Sequence, residues 1–202
     1  VKEQRVDTVL PTRMRVKYTL TVDANAVPDG EMVRCWLPYP KNKQHRQKDV
    51  KFISASETEY TFAQETYEHS TLYMEKEAVK DPPPVSSAEF EYTSYAEWHK
   101  LKPEDLLPYT VTDDLFREYT AERETHIQFT PRIKERAEQR VGDEPNPLVK
   151  AQRYFKWIND NFPWASAREY STIPNIPEYV LDNARGDCGQ VTLLFITLCR
   201  YS

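Results

Sequence analysis

The period of the apolar residues changes once along the chain, near residue 103, and this change limits the folds open to it. Before that point apolar and polar residues alternate, which is typical of strands with one buried face. In the run at 15–23, for example, Val16 and Tyr18 share one face and Lys17 lies on the other. After it, apolar residues recur three and four positions apart, which is typical of helices. We therefore predict an α+β chain, with antiparallel strands first and helices second.

Four more runs predict strands in the first half, separated by turns that contain proline and glycine. They cover residues 31–40, 50–57, 70–78 and 87–100. Several short strands with turn signals between them are typical of a β-sandwich. We predict an antiparallel β-sandwich domain over residues 1–110.

Helical signals dominate the second half, and we predict a second domain over residues 111–202. Thr130 and Asn146 each precede a proline, the usual order of an N-cap and a first helical residue. The helix after Asn146 carries one predicted buried face, made of Leu148, Ala151, Phe155, Ile158 and Phe162. The last helix carries a wider apolar stripe, made of Val191, Leu194, Phe195, Leu198 and Cys199.

Charge and composition exclude several classes of partner. The net charge of -5 argues against nucleic acid, which is bound through clustered lysine and arginine. The sequence holds no apolar run near the roughly 20 residues of a membrane span. No two of the four histidines have the spacing of metal ligands. We therefore predict neither a metal site nor a cofactor. We also expect no signal peptide, because the first residues are charged.

Three cysteines are too few for a disulfide scaffold. Cys188 and Cys199 on one helix would be separated by about 16 Å of rise, beyond the roughly 7 Å limit between Cα atoms in a disulfide. We interpret Cys35, in a strand, and Cys199, on the apolar stripe, as buried structural residues.

Cys188 stands at a different kind of position. Asp187 is a predicted N-cap and Gln190 completes the pattern of a capping box, so Cys188 is the first residue of the last helix. There the free backbone N–H groups and the positive end of the helix dipole favour a thiolate. Gly186 and Gly189 are interpreted as leaving room for the backbone of a substrate. These features make Cys188 the candidate catalytic residue.

The helix dipole alone does not activate a thiol. A helix end contributes about 0.3 to 1 kcal/mol, so a nucleophilic cysteine needs a base, in thiol enzymes a histidine. His126 is the histidine nearest the helical region, and we weigh a structural hydrogen bond for it against a role as base. Trp164 either lines the site of acyl transfer or packs in a core or loop. The alternative for Cys188 itself is a small buried residue.

The segment GDCGQVTLLFITLCRYS, which contains Cys188, resembles the nucleophile motif of the transglutaminase-like superfamily. The segment NPLVKAQRYFKWINDNFPW is similar to the helix before the nucleophile in bacterial members, and VRCWLPYP looks like part of their preceding β domain. The resemblance implies a papain-like thiol mechanism with Cys188 as nucleophile and a protein or peptide amide as substrate. It also implies that residues 111–202 are the first, helical part of the catalytic core.

Family members carry a histidine and an aspartate after the nucleophile, and neither residue type follows Cys188 in this sequence. We therefore expect a truncated, inactive portion of a larger cysteine enzyme. The arrangement of a β domain before the core resembles that of extracytoplasmic bacterial proteins, which implies a secreted or periplasmic location, with a cytoplasmic location left open. The apolar stripe of the last helix would then be exposed and promote packing on the β domain or self-association. The alternative function is a non-catalytic extracellular β module with a helical assembly or binding segment.

Overall fold

The chain forms one unit of strands and one unit of helices, Val1–Lys100 and Leu101–Ser202. The computed structural model describes residues 8–42, 45–67, 69–79, 81–166 and 168–202. All strand pairs are antiparallel. The α+β prediction is therefore confirmed.

Among its described residues, the first unit contains six strands in two sheets. They are β1 (Thr8–Thr21), β2 (Met32–Pro38), β3 (Gln47–Ala55), β4 (Tyr60–Phe62), β5 (Thr71–Glu77) and β6 (Val85–Glu97). One sheet has the order β1-β6-β3 and the other the order β2-β5-β4. The five predicted runs correspond to all strands except β4, whose three residues are too few to show an alternation.

Ion pairs fix the register between β1 and β6. Arg13 donates to Glu91 at 2.5 Å and Arg15 donates to Glu89 at 2.6 Å, all on one face of the sheet. Phe90 lies between these two glutamates in sequence and is buried on the opposite face. A slip of one residue would reverse both faces, so charge pairing and burial specify the same register.

Both sheets contribute to one apolar core. Its buried members are Cys35, Leu37, Leu72, Met74 and Ala88, with Phe52 and Ala55 packed against them. The β-sandwich topology itself stays a prediction.

Over residues 101–166 and 168–202, the second unit contains five α-helices: α1 (Asp114–Thr120), α2 (Pro131–Val141), α3 (Pro147–Asn161), α4 (Ile176–Asn183) and α5 (Cys188–Tyr201). Each follows an N-cap whose side chain accepts a backbone N–H of the first turn, and these caps are Asp113, Thr130, Asn146, Asn175 and Asp187. The predicted helix starts after Thr130, Asn146 and Asp187 are confirmed. Helix α1 was not predicted, because its seven residues bury no side chain and so show no apolar period.

Helix α5 lies at the centre of the helical core. It packs against α2, α3 and α4, and Leu194 and Leu198 are fully buried there with Ile133, Tyr154 and Val180. The expectation that the whole apolar stripe is exposed is therefore wrong. These two leucines are covered within the helical unit, without a second copy of the chain.

The buried face of α3 is rotated from the predicted one. Phe155 is 66% exposed, whereas Tyr154 is fully buried and its hydroxyl donates to the carbonyl oxygen of Ala137 at 3.5 Å. A tyrosine can be buried when its hydroxyl finds an acceptor, and α2 supplies that acceptor. The sequence pattern cannot show this choice, because Tyr154 and Phe155 are adjacent aromatic residues.

The outer apolar side of α5 borders a groove. Phe195, Ile196 and Cys199 are partly buried and line a cavity of about 780 Å³. Its other wall consists of residues 108–110 and side chains of α1. Part of the predicted stripe is thus incompletely covered.

Candidate active site at the start of α5

A short turn between α4 and α5 places Cys188 at the surface. Helix α4 ends at Asn183, and the next residue, Ala184, adopts the left-handed conformation with φ 47° and ψ 35°. A left-handed residue at this position ends a helix and redirects the chain. After three intervening residues, 185–187, α5 begins with Cys188 as its first residue.

A reciprocal pair of hydrogen bonds caps this helix. The side chain of Asp187 accepts the N–H of Gln190 at 2.8 Å, and Oε1 of Gln190 accepts the N–H of Asp187 at 3.1 Å. The predicted capping box is therefore confirmed. The N–H groups of the first helical turn, including that of Cys188, have no acceptor within a helix and form the positive end of its dipole.

The three cysteines lie in different surroundings. Cys188 is exposed, and all three are free thiols. Cys35 is 2% exposed, and burial raises the pKa of its thiol. Burial raises the pKa of Cys199 to about 11, so that sulfur also stays protonated near neutral pH. Cys188 is thus the most exposed of the three cysteines.

The two glycines beside Cys188 accommodate the protein's own side chains. A Cβ atom at Gly189 would lie 2.3 Å from the hydroxyl oxygen of Tyr170, which no real contact allows. A Cβ atom at Gly186 would lie 3.1 Å from Gln190 and 3.3 Å from Val180. The interpretation that these glycines leave space for a substrate is therefore wrong at Gly189, where Tyr170 occupies that space.

Tyr170 also bonds to the N-cap. Its hydroxyl donates to Oδ1 of Asp187 at 2.5 Å. Burial raises the pKa of Tyr170 to about 12, and the hydrogen bond to Asp187 and the charges of Asp187 and Cys188 act in the same direction. Tyr170 was not predicted as a site residue, because it lies in an irregular segment whose spacing predicts no contact with α5.

Backbone pairing places Trp164 next to Gly186, in the segment that precedes Cys188. The N–H of Ala165 donates to the carbonyl oxygen of Gly186 at 3.0 Å, and Trp164 and Gly186 form a parallel β-bridge. The Trp164 side chain is 72% exposed. The interpretation of Trp164 as a core residue is therefore wrong, and the tryptophan lies beside the segment that leads into Cys188.

The histidine of the helical unit has a structural contact. Nδ1 of His126 accepts the N–H of Ile176 at 3.3 Å, at the start of α4. This contact agrees with the structural alternative for His126. The other three histidines, His45, His69 and His99, belong to the strand unit.

In the parts of the chain that the structure describes, no group of three or more histidine, cysteine or acidic side chains is arranged to hold a metal ion. Among the same residues, no helix combines the length and apolar character needed to cross a bilayer.

Comparison with known proteins gives a family match within the helical unit. Residues 134–202, from within α2 to the end of α5, match the model of the transglutaminase-like superfamily. A search of curated proteins finds no match. A similar solved structure is that of a "putative cysteine protease" from Cytophaga hutchinsonii, with a TM-score of 0.59 and 14% sequence identity.

The structural similarity covers 95% of this chain and 66% of the Cytophaga protein, so the chain spans just under two thirds of that protein's length. At this level of identity the likeness shows the fold. The family match covers the segment that contains Cys188.

Proposed function

Since this chain is a transglutaminase-like protein, we propose that Cys188 is the nucleophile of a cysteine enzyme that acts on protein or peptide amides. One observation carries the proposal: Cys188 is an exposed cysteine at the first residue of a capped helix. The other two cysteines lie in strand β2 and on the last turns of α5, and burial keeps both protonated.

The proposed reaction has two steps. The Cys188 thiolate attacks the amide carbonyl carbon, the C–N bond breaks, and the amine leaves with a proton supplied by the base. The resulting thioester then transfers its acyl group to water or to an amine, which gives hydrolysis or acyl transfer respectively. During both steps the backbone N–H groups at the start of α5 can donate to the oxyanion.

Trp164 is the second proposed site residue. Its exposed indole stands beside the backbone that precedes Cys188, through the bridge to Gly186. An exposed aromatic ring can pack on the acyl part of a substrate, and its N–H can donate to a carbonyl oxygen.

The catalytic base is proposed from the resemblance of the sequence to the transglutaminase-like superfamily. His126 bonds to the start of α4, and we propose that a histidine and an aspartate beyond residue 202 in a longer protein complete the site. Residues 1–202 by themselves would then form no acyl-enzyme. The coverage of 66% of the Cytophaga protein is compatible with such a longer chain.

The proposal is tested with the protein encoded by the complete open reading frame. We expect a mass increase equal to the acyl group at Cys188 when the protein is mixed with an activated amide or ester peptide. The matched control is Cys188→Ala, which should show no such adduct. A full reading frame without a downstream histidine, or a full-length protein whose Cys188 gains no acyl group, contradicts the proposal.

A second candidate function is a non-catalytic extracellular β module with a helical segment for assembly. It is favoured by the groove beside α5, which leaves Phe195, Ile196 and Cys199 partly covered. This function requires self-association, which sedimentation equilibrium measures. A chain that stays monomeric at high protein concentration contradicts it, and Phe195→Ser distinguishes association through the groove from association elsewhere.

A further inference from the structure

Tyr170 holds the cap of the helix that carries Cys188. It begins a short 3₁₀ turn, Tyr170–Thr172, and its hydroxyl donates to Oδ1 of Asp187 at 2.5 Å. The same oxygen accepts the N–H of Gln190 at 2.8 Å. One carboxylate oxygen therefore links the turn at Tyr170 to the first turn of α5, next to Cys188.

The phenol ring also packs on that first turn. A Cβ atom at Gly189 would lie 2.3 Å from the Tyr170 hydroxyl oxygen and 3.2 Å and 3.3 Å from two ring carbons. Glycine at this position thus allows the ring to approach the helix backbone. The contact fixes where the hydroxyl lies relative to Asp187.

Charge gives the hydrogen bond a chemical consequence. A carboxylate disfavours a thiolate that lies close to it, because like charges repel, and Asp187 directly precedes Cys188 in the sequence. A hydroxyl that donates a hydrogen bond to the carboxylate withdraws part of the carboxylate's negative charge. Tyr170 remains a donor throughout the neutral range, since its pKa is raised to about 12.

Four other charged groups around this region have hydrogen-bond or ion-pair partners of their own. Arg168 donates to Thr172, and Glu169 accepts from Ser171, both within the same short segment. On α4, Glu178 and Asp182 pair with Arg132 of α2. Arg185 belongs to the loop before Cys188 and is exposed.

We propose that Tyr170 is a positioning residue for Cys188, which acts through Asp187 by fixing the first turn of α5 and by drawing carboxylate charge away from the sulfur. This inference rests on the proposed function of Cys188 as a nucleophile. Tyr170 itself does not take part in bond making.

The test is the rate of Cys188 alkylation by iodoacetamide as a function of pH, followed by peptide mass spectrometry. In Tyr170→Phe the ring remains but the donor is lost. We expect the midpoint of the rate profile to rise by about half a pH unit, which lowers the rate at pH 7 about threefold. The matched control is Tyr201→Phe, which removes a hydroxyl that donates to Glu138 at the other end of α5 and should leave the profile unchanged.

Asp187→Asn supplies the second arm. Asparagine keeps a capping oxygen for Gln190 but has no charge, so the midpoint should fall below that of the unmodified protein. Adding Tyr170→Phe to Asp187→Asn should then produce no further shift. A further shift in the double variant would overturn the proposed route through Asp187.

Thermal unfolding of every variant separates a positioning role from a purely structural one. If Tyr170→Phe lowers the melting temperature but leaves the alkylation profile in place, the positioning role is wrong. Failure of the underlying function looks different. In that case Cys188 of the unmodified protein reacts with the same profile as in urea, and the full-length protein forms no acyl-enzyme.

Discussion

The backbone N–H of Ala165 donates to the carbonyl oxygen of Gly186 at 3.0 Å and so joins an exposed tryptophan to the segment that leads into Cys188. The pairing is a single bridge between Trp164 and Gly186, distant in sequence and outside any sheet. It places Trp164 beside the backbone of Gly186, two residues before Cys188.

Trp164→Ala should lower activity without lowering stability. An exposed side chain contributes little to folding, so the free energy of unfolding should change by less than about 0.5 kcal/mol. The rate of acyl-enzyme formation by the full-length protein should fall at least about tenfold, because positioning of the acyl group is lost. Single-turnover mass spectrometry measures this rate. Trp164→Phe keeps a ring without the N–H and separates packing from hydrogen bonding, and full activity in the alanine variant would exclude Trp164 from the site.

Gly189→Ala should destabilise the protein, although alanine is the better helix former. The gain in helix propensity is at most about 1 kcal/mol, whereas forcing a Cβ atom against the Tyr170 hydroxyl costs about 1 to 3 kcal/mol. Urea unfolding measures the balance. In a Tyr170→Ala background the obstacle is gone, and the same substitution should become neutral or stabilising. An unchanged sign in that background would show that Tyr170 is not the obstacle.

Leu194→Ala and Phe155→Ala should differ sharply in stability, although both residues lie on predicted apolar faces. Leu194 is fully buried, and its truncation should cost about 2 to 5 kcal/mol. Phe155 is mostly exposed, and its truncation should change the free energy of unfolding by about 0.5 kcal/mol or less. Thermal unfolding of the two variants under one set of conditions measures the difference. Equal losses would contradict the rotated face of α3.

Cys199 should make the protein less stable at high pH. Its folded pKa, about 11, exceeds its ordinary value of 9.0 because of burial. The folded state therefore keeps a proton that the unfolded state releases, and this stabilisation is complete below pH 9 and lost as the pH rises through 11. Urea unfolding between pH 8 and 11 should show a smaller decline for Cys199→Ala than for the unmodified protein. Parallel declines would mean that the thiol titrates alike in both states.

Much of the framework follows from short-range sequence signals. The starts of α2, α3 and α5 could be predicted from Thr130, Asn146 and Asp187, because a cap bonds to a backbone N–H two or three residues away. The strand at β1 and the charged face that it shares with β6 follow from simple alternation. Cys188 could be singled out for the same reason, since both residues of the capping box, Asp187 and Gln190, lie within two positions of it.

Other features depend on contacts that no local pattern contains. The choice between Tyr154 and Phe155 was decided by an acceptor on α2, at Ala137. The role of Gly189 was decided by the ring of Tyr170, which comes from an irregular segment with no period to place it. These contacts changed the predicted roles of two residues, Phe155 and Gly189.

The sequence by itself determined where the helices begin, which residues alternate in the strands, and that Cys188 opens a capped helix, because these depend on residues a few positions apart. The tertiary structure decided which faces are buried, that Tyr170 and Trp164 stand beside the cysteine, and that α2, α3 and α4 cover α5. Those contacts join residues far apart in the chain. Their geometry is set by how the elements pack, and packing depends on the shape of the whole unit.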